Sequence, residues 1–116
     1  MTSRPTKKTS HSEKVITQTI LKDLKLRGGF WYKTHGSPYQ RVGIPDIIGC
    51  FNGRMVGIEV KRKGQEPTTL QWETLRAMER AGACVGVAHS RVEALLIINK
   101  VWEAPPNYSN TLAIKQ

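Results

Sequence analysis

Acidic residues are scarce in this chain. Its 116 residues include 18 Lys or Arg against 9 Asp or Glu, a formal charge of +9. A pI near 10.0 in so short a chain makes a polyanion the natural partner and ranks nucleic acid above a membrane surface. Cysteine is scarce too. Cys50 and Cys84 stand alone inside apolar runs, which excludes a disulfide framework and suits small buried hydrophobes in a reducing compartment. No CxxC or paired-histidine spacing occurs, so the common zinc sites are excluded. No apolar run approaches the roughly 18–20 residues that a membrane span needs. The N-terminal stretch has no apolar segment of the kind a secretory signal carries, so none is expected. There is no internal repeat.

What is present suits one small domain. An apolar fraction of 39% with 23% charged residues allows a folded chain with a modest single core. Residues 1–9 are polar, basic and aperiodic, and read as a flexible arm. Ser10 is expected to open a helix. Ser10-His11-Ser12-Glu13 has capping-box spacing, and Ile16, Ile20 and Leu24 recur at helical intervals until Arg27-Gly28-Gly29 ends the pattern. Glu13 falls on that apolar stripe. FWYKTH at 30–35 is strand-like, and GSPYQRV at 36–42 is a loop. DIIGCF at 46–51 reads as a short strand covered on both faces. Asn52-Gly53 is a strong hairpin signal, with MVGIEVK at 55–61 as the antiparallel return strand.

Beyond a polar loop at 62–67, Thr68-Thr69-Leu70-Gln71 matches a second capping box. Leu75, Met78 and Ala81 give that helix its apolar side, and Gly82 is placed to stop it. ACVGVAH at 83–89 is a compact apolar strand. Ser90-Arg91-Val92-Glu93 is a third capping box, opening a short helix through Leu95, Leu96 and Ile98. Pro105-Pro106 closes the ordered part and leaves a loosely held tail at 105–116. The domain, 10–104, therefore runs α-β-β-β-α-β-α, an α/β fold whose mixed sheet carries helices on its faces.

Chemistry concentrates between Gly43 and Lys61. Residues two apart on a strand face the same side, so Glu59 and Lys61 project together while Ile58 and Val60 point the other way. The hairpin folds Asp46 back beside them. Two carboxylates offer hard oxygen ligands suited to Mg²⁺ or Mn²⁺, and an ammonium beside them can orient water or neutralise a phosphoryl transition state. A weak surface salt bridge between Glu59 and Lys61 is the plain alternative. Pro45-Asp46, thirteen residues upstream of Glu59 across the hairpin, turns the balance toward a site.

Pro45-Asp46 followed by Glu59-Val60-Lys61 resembles the PD-(D/E)XK nuclease superfamily. The fuller string is similar to its VRR-NUC branch, the virus-type replication-repair nucleases: Arg41-Val42-Gly43-Ile44-Pro45-Asp46, Gly57-Ile58-Glu59-Val60-Lys61, Gln71, and Ala81-Gly82. The match spans roughly residues 13–90 in the expected element order. The resemblance implies a restriction-endonuclease-like core and a Mg²⁺- or Mn²⁺-dependent deoxyribonuclease. Asp46 and Glu59 would be metal ligands, joined by Glu13 and the backbone carbonyl of Val60. Lys61 would be the catalytic lysine, and Gln71 the helix residue reaching toward water or phosphate. Capping of Glu13 by Ser10, and of Gln71 by Thr68, are the plainer readings of those two. The resemblance further implies branched DNA such as a four-way junction as substrate, in replication, repair or recombination. It implies a homodimer, and a cytoplasmic location in a bacterial or phage-infected cell.

Other positions are read more simply. Lys33, Arg41, Arg62 and Lys63 are candidate phosphate contacts, as are His35, Tyr39 and Gln40 near the loop. Trp31, Trp72 and Trp102 are expected in core or interface rather than stacked on bases. His11 and His89 have no evident partner. Two other classes compete: a catalytically silent DNA-binding module of the same fold, and a basic RNA-binding scaffold that would leave the Asp-Glu-Lys constellation unexplained.

Overall fold

The computed structural model describes residues 12–34 and 41–103. Its elements are α1 (Glu13–Arg27), β1 (Phe30–Lys33), β2 (Ile47–Phe51), β3 (Arg54–Val60), α2 (Thr69–Arg80), β4 (Cys84–Ala88) and α3 (Arg91–Glu103). The order is the expected α-β-β-β-α-β-α. The four strands form one sheet in the order β1-β2-β3-β4. The first three run antiparallel, and β4 lies parallel to β3. Asn52 and Gly53 both take positive φ, 53° and 81°, as a tight primed turn between β2 and β3 requires. That turn fixes the register Ile47↔Ile58 and Cys50↔Met55.

Strand alternation then sorts side chains to two faces. One carries Trp31, Ile47, Phe51, Val56, Ile58, Val60, Cys84 and Ala88, and packs with Ile20 and Leu24 of α1 and Ala94, Ile97, Ile98 and Val101 of α3. Each large aliphatic side chain buried in this layer contributes roughly 1.5–3 kcal/mol. Trp31 is core, as expected, and its indole N–H donates to Gly28 O at 2.8 Å. On the opposite face α2 lies over β3 and β4. It approaches so closely that a Cβ on Gly57 would sit 2.8 Å from Met78 Cε and 3.3 Å from Pro45 Cγ. Gly57 therefore lets α2 and Pro45 meet on the sheet.

Several local expectations change. The hydroxyl capping α1 belongs to Ser12, whose Oγ accepts from Val15 N at 3.2 Å. The helix begins at Glu13, and Ser10 lies outside the described residues. β2 is not covered on both faces: Ile48 is only half-buried and Cys50 is exposed, because α2 sits over β3 and β4 and leaves this strip open. Cys84 is buried, as expected. The box at α2 forms in full, with Thr68 and Gln71 bonding each other's backbone N–H. The third capping pattern forms on one side only. Ser90 Oγ accepts from Glu93 N, while the Glu93 carboxylate turns to His89 N. α3 is longer than expected, at 13 residues, and Leu96 faces outward. No described helix is long and apolar enough to cross a membrane.

Candidate active site

The register brings the acids together. Ile47 opposes Ile58 on antiparallel strands, so one step further out, at the open end of the hairpin, Asp46 opposes Glu59 on the α2 face. Lys61 N donates to Ala88 O at 3.0 Å, which turns its main chain toward β4. Main-chain groups alternate along a strand, so the N–H and C=O of Val60 face the β2 side. There Val60 N donates to Asp46 Oδ2 at 2.9 Å. The carbonyl of Val60 consequently opens toward the same side as the Asp46 carboxylate.

Glu59 is only 2% exposed. Lys61 Nζ lies 3.8 Å from Glu59 Oε2, and the two side chains are 14% and 3% exposed. This is not the solvated surface ion pair of the plain reading. Glu59 Oε1 is buried without a hydrogen-bond partner, a costly state for a carboxylate. Burial first, and then the charge of Asp46, push Glu59 up from 4.5 to about 8 against the pull of Lys61. Burial likewise raises Asp46, although the Val60 N–H works the other way. Together the directions describe a cluster short of positive charge, with two acids facing one ammonium.

Glu13 contributes charge at a distance, raising both Asp46 and Glu59. The structure does not close it onto them: among the described residues no three His, Cys, Asp or Glu side chains gather into a group that could hold a metal. With Ser12 as the cap, Glu13 is the first helical residue rather than the reciprocal partner of a capping box. Gln71 is the partner in one, its Oε1 accepting from Thr68 N at 2.8 Å. Lys33 is half-buried at the end of β1, while Arg41, Arg62 and Lys63 are exposed. Trp72 is half-buried, with the Arg76 guanidinium 5.6 Å from its ring centroid. His11, His35, Tyr39 and Gln40 lie outside the described residues, and the side chain of Trp102 is not described.

Two residues gain roles that the sequence did not signal. Thr34 anchors the Pro45–Asp46 segment, its Oγ1 donating to Pro45 O at 2.9 Å. His89 ties three segments, with Nδ1 2.8 Å from Glu93 Oε1 and Nε2 2.8 Å from Gln65 O. The Thr34–Pro45 and His89–Gln65 bonds join positions 11 and 24 residues apart, which periodicity and spacing do not register.

Fold and site define a class: a mixed α/β domain in which a hairpin presents a buried glutamate and a half-buried aspartate beside a lysine. Solved structures give the fold its name. One titled "VRR_NUC domain protein" superposes with a TM-score of 0.65 at 18% identity, over 78% of this chain and 87% of that one. Another, titled "VRR_NUC domain", gives a TM-score of 0.62 at 23% identity, over 81% of this chain and 97% of that one. The chain therefore has the fold of VRR_NUC domains. No protein-family model matches the sequence, and no curated protein matches it.

Proposed function

We propose that the protein is a metal-dependent nuclease that hydrolyses DNA phosphodiester bonds. The observation that carries this reading is the cluster of half-buried Asp46 and Lys61 around the buried Glu59, whose Oε1 lacks a donor. An orphaned carboxylate oxygen beside a second acid is what a hard divalent cation satisfies. Asp46 and Glu59 would hold Mg²⁺ or Mn²⁺, with the carbonyl of Val60 as a further oxygen donor and Glu13 as added negative charge nearby. Such a cation, when bound, supplies a lowered pKa for its water and charge compensation for the phosphate. Lys61, with Nζ 3.8 Å from Glu59 Oε2, neutralises charge developing on phosphate oxygen. The amide of Gln71, if released from Thr68 N, can turn toward phosphate or water. Lys33, Arg41, Arg62 and Lys63 bind flanking phosphates without reading sequence.

The finer reading is a homodimer acting on branched DNA, two sites on a twofold assembly suiting paired cuts. An exposed apolar row supports self-association: Phe30 pairs with Cys50 and Cys50 with Met55 across three strands, and Phe30 and Met55 are 69% and 47% exposed. Glutamate at both Phe30 and Met55 is expected to shift the sedimenting species to monomer. An unchanged profile would remove this face from consideration.

The silent DNA-binding module of the same fold has one observation in its favour: among the described residues no third His, Cys, Asp or Glu joins Asp46 and Glu59 in a group that could hold a metal. A substrate panel separates the readings. Duplex, flap, fork and four-way-junction DNA are incubated with Mg²⁺ or Mn²⁺ and with EDTA. Metal-dependent cutting, strongest on branched substrates, is expected; binding that survives EDTA with no cutting of any substrate would favour the silent module.

A further inference from the structure

Asp46 is held from both ends. Its carboxylate takes the N–H of Val60 on β3 at 2.9 Å. Its backbone carbonyl takes the N–H of Thr34, just past β1, at 2.9 Å. The Thr34 hydroxyl adds a second tie, with Oγ1 2.9 Å from Pro45 O and 3.3 Å from Asp46 O. A line of bonds thus crosses three strands and passes through the acid. The hydroxyl has a specific task in that line. The N–H of Thr34 is committed to Asp46 O, and Pro45, whose side chain is fully buried, precedes the point where β2 begins. A hydroxyl has one proton to donate, and the shorter distance assigns it chiefly to Pro45 O.

We infer that Thr34 is a positioning residue, its hydroxyl fixing the Pro45–Asp46 peptide so that the Asp46 carboxylate meets Val60 N–H and faces Glu59. Its consequence for catalysis rests on the nuclease reading above; the positioning itself is a property of the metal-free chain. A β-branched residue that merely ends a strand would do its work through shape, and valine has that shape without the hydroxyl. Serine keeps the hydroxyl and gives up the methyl group.

The test compares wild type, Thr34→Val and Thr34→Ser in two measurements. In EDTA, amide hydrogen exchange at Val60 is followed by NMR. Exchange about tenfold faster in Thr34→Val, with Thr34→Ser within about threefold of wild type, is expected of a lost Asp46–Val60 bond. On cleavable DNA with Mn²⁺, Thr34→Val is expected to lower kcat by about ten- to a hundredfold with KM little changed, and Thr34→Ser to restore it. Unchanged Val60 exchange in Thr34→Val would overturn the inference, as would equal losses in Thr34→Val and Thr34→Ser. Should Thr34→Val fail to fold, Thr34→Ala supplies the hydroxyl-free chain and is judged by the same exchange readout. If wild type cuts no DNA, the exchange result still decides the positioning role, and only the nuclease reading fails.

Discussion

Burying Glu59 at 2% exposure beside Asp46 works against the charged form of both acids. Glu59 sits near 8 in the folded chain against 4.5 for a free glutamate, so between those values the native state holds a proton that the unfolded state has released. Stability from this group is therefore greatest below about pH 4.5, falls as pH rises through the window, and levels off above about pH 8. Asp46 shifts in the same direction. Glu59→Gln should flatten the decline. In EDTA at about pH 9 the variant should be more stable than wild type by on the order of a few kcal/mol, and that gap should shrink toward pH 5. Melting curves across pH check it, and a variant no more stable than wild type at high pH would contradict the burial argument. Divalent cation should close the gap by stabilising wild type alone. At this scale the sequence was informative about Asp46, Glu59 and Lys61, because strand alternation and a two-residue hairpin suffice to bring them together. It was silent on Thr34, whose partner Pro45 lies 11 residues away, just ahead of β2. It misjudged Cys50, whose exposure depends on where α2 packs.

Among the elements, the segment between β3 and α2 carries Arg62 and Lys63 and is fastened by a histidine at the end of β4. Its Nδ1 faces Glu93 Oε1 and its Nε2 faces Gln65 O, with Glu66 Oε2 3.4 Å from Nε2. Carboxylate and carbonyl both accept, so the arrangement suits a ring protonated on both nitrogens. The bonds to Gln65 and then Glu93 raise it above 6.5, while the bond from His89 N first of all lowers Glu93. Stability from this clamp is fully present between about pH 4.5 and 6.5; it is lost as pH rises through the higher folded value of His89 and as pH falls through the lower folded value of Glu93. His89→Ala should lower the melting temperature more at about pH 5.5 than at about pH 9, and should speed proteolysis of the 61–68 segment at the lower pH. An equal penalty at both values would show that His89 acts only by packing. Local signals anticipated the elements well where both partners sit within one turn. Asn52-Gly53 and the Thr68–Gln71 box formed as read. The start of α1 moved two residues because Ser10 and Ser12 offer equivalent hydroxyls, and only the helix axis decides which one faces its open N–H groups. Glu93 left its box because His89 N, brought near by β4, competes for the same carboxylate.

For the whole molecule, the formal +9 sets the terms of any encounter with DNA. Binding through phosphate contacts releases counterions, and each neutralised phosphate adds about 0.9 to the slope of log K against log salt. Replacing both Arg62 and Lys63 with alanine should reduce that slope by about two and weaken duplex and junction alike. A slope that stays the same would take the segment out of the interface. The architecture was legible at this scale, since α-β-β-β-α-β-α follows from three helical patterns and four apolar runs. The open strip over β1 and β2 was not, because it depends on how many strands one helix spans. The central claim, that the Asp46-Glu59-Lys61 cluster hydrolyses DNA with a divalent metal, has one direct test. Single-turnover cleavage of labelled four-way-junction DNA is measured for wild type, Glu59→Gln and Lys61→Ala, each in Mn²⁺ and in EDTA, with folding verified by circular dichroism. The expected result is cutting by wild type in Mn²⁺ alone, reduced about a hundredfold or more in both folded variants. Cutting that persists in EDTA, or that Lys61→Ala performs at the wild-type rate, would contradict the account.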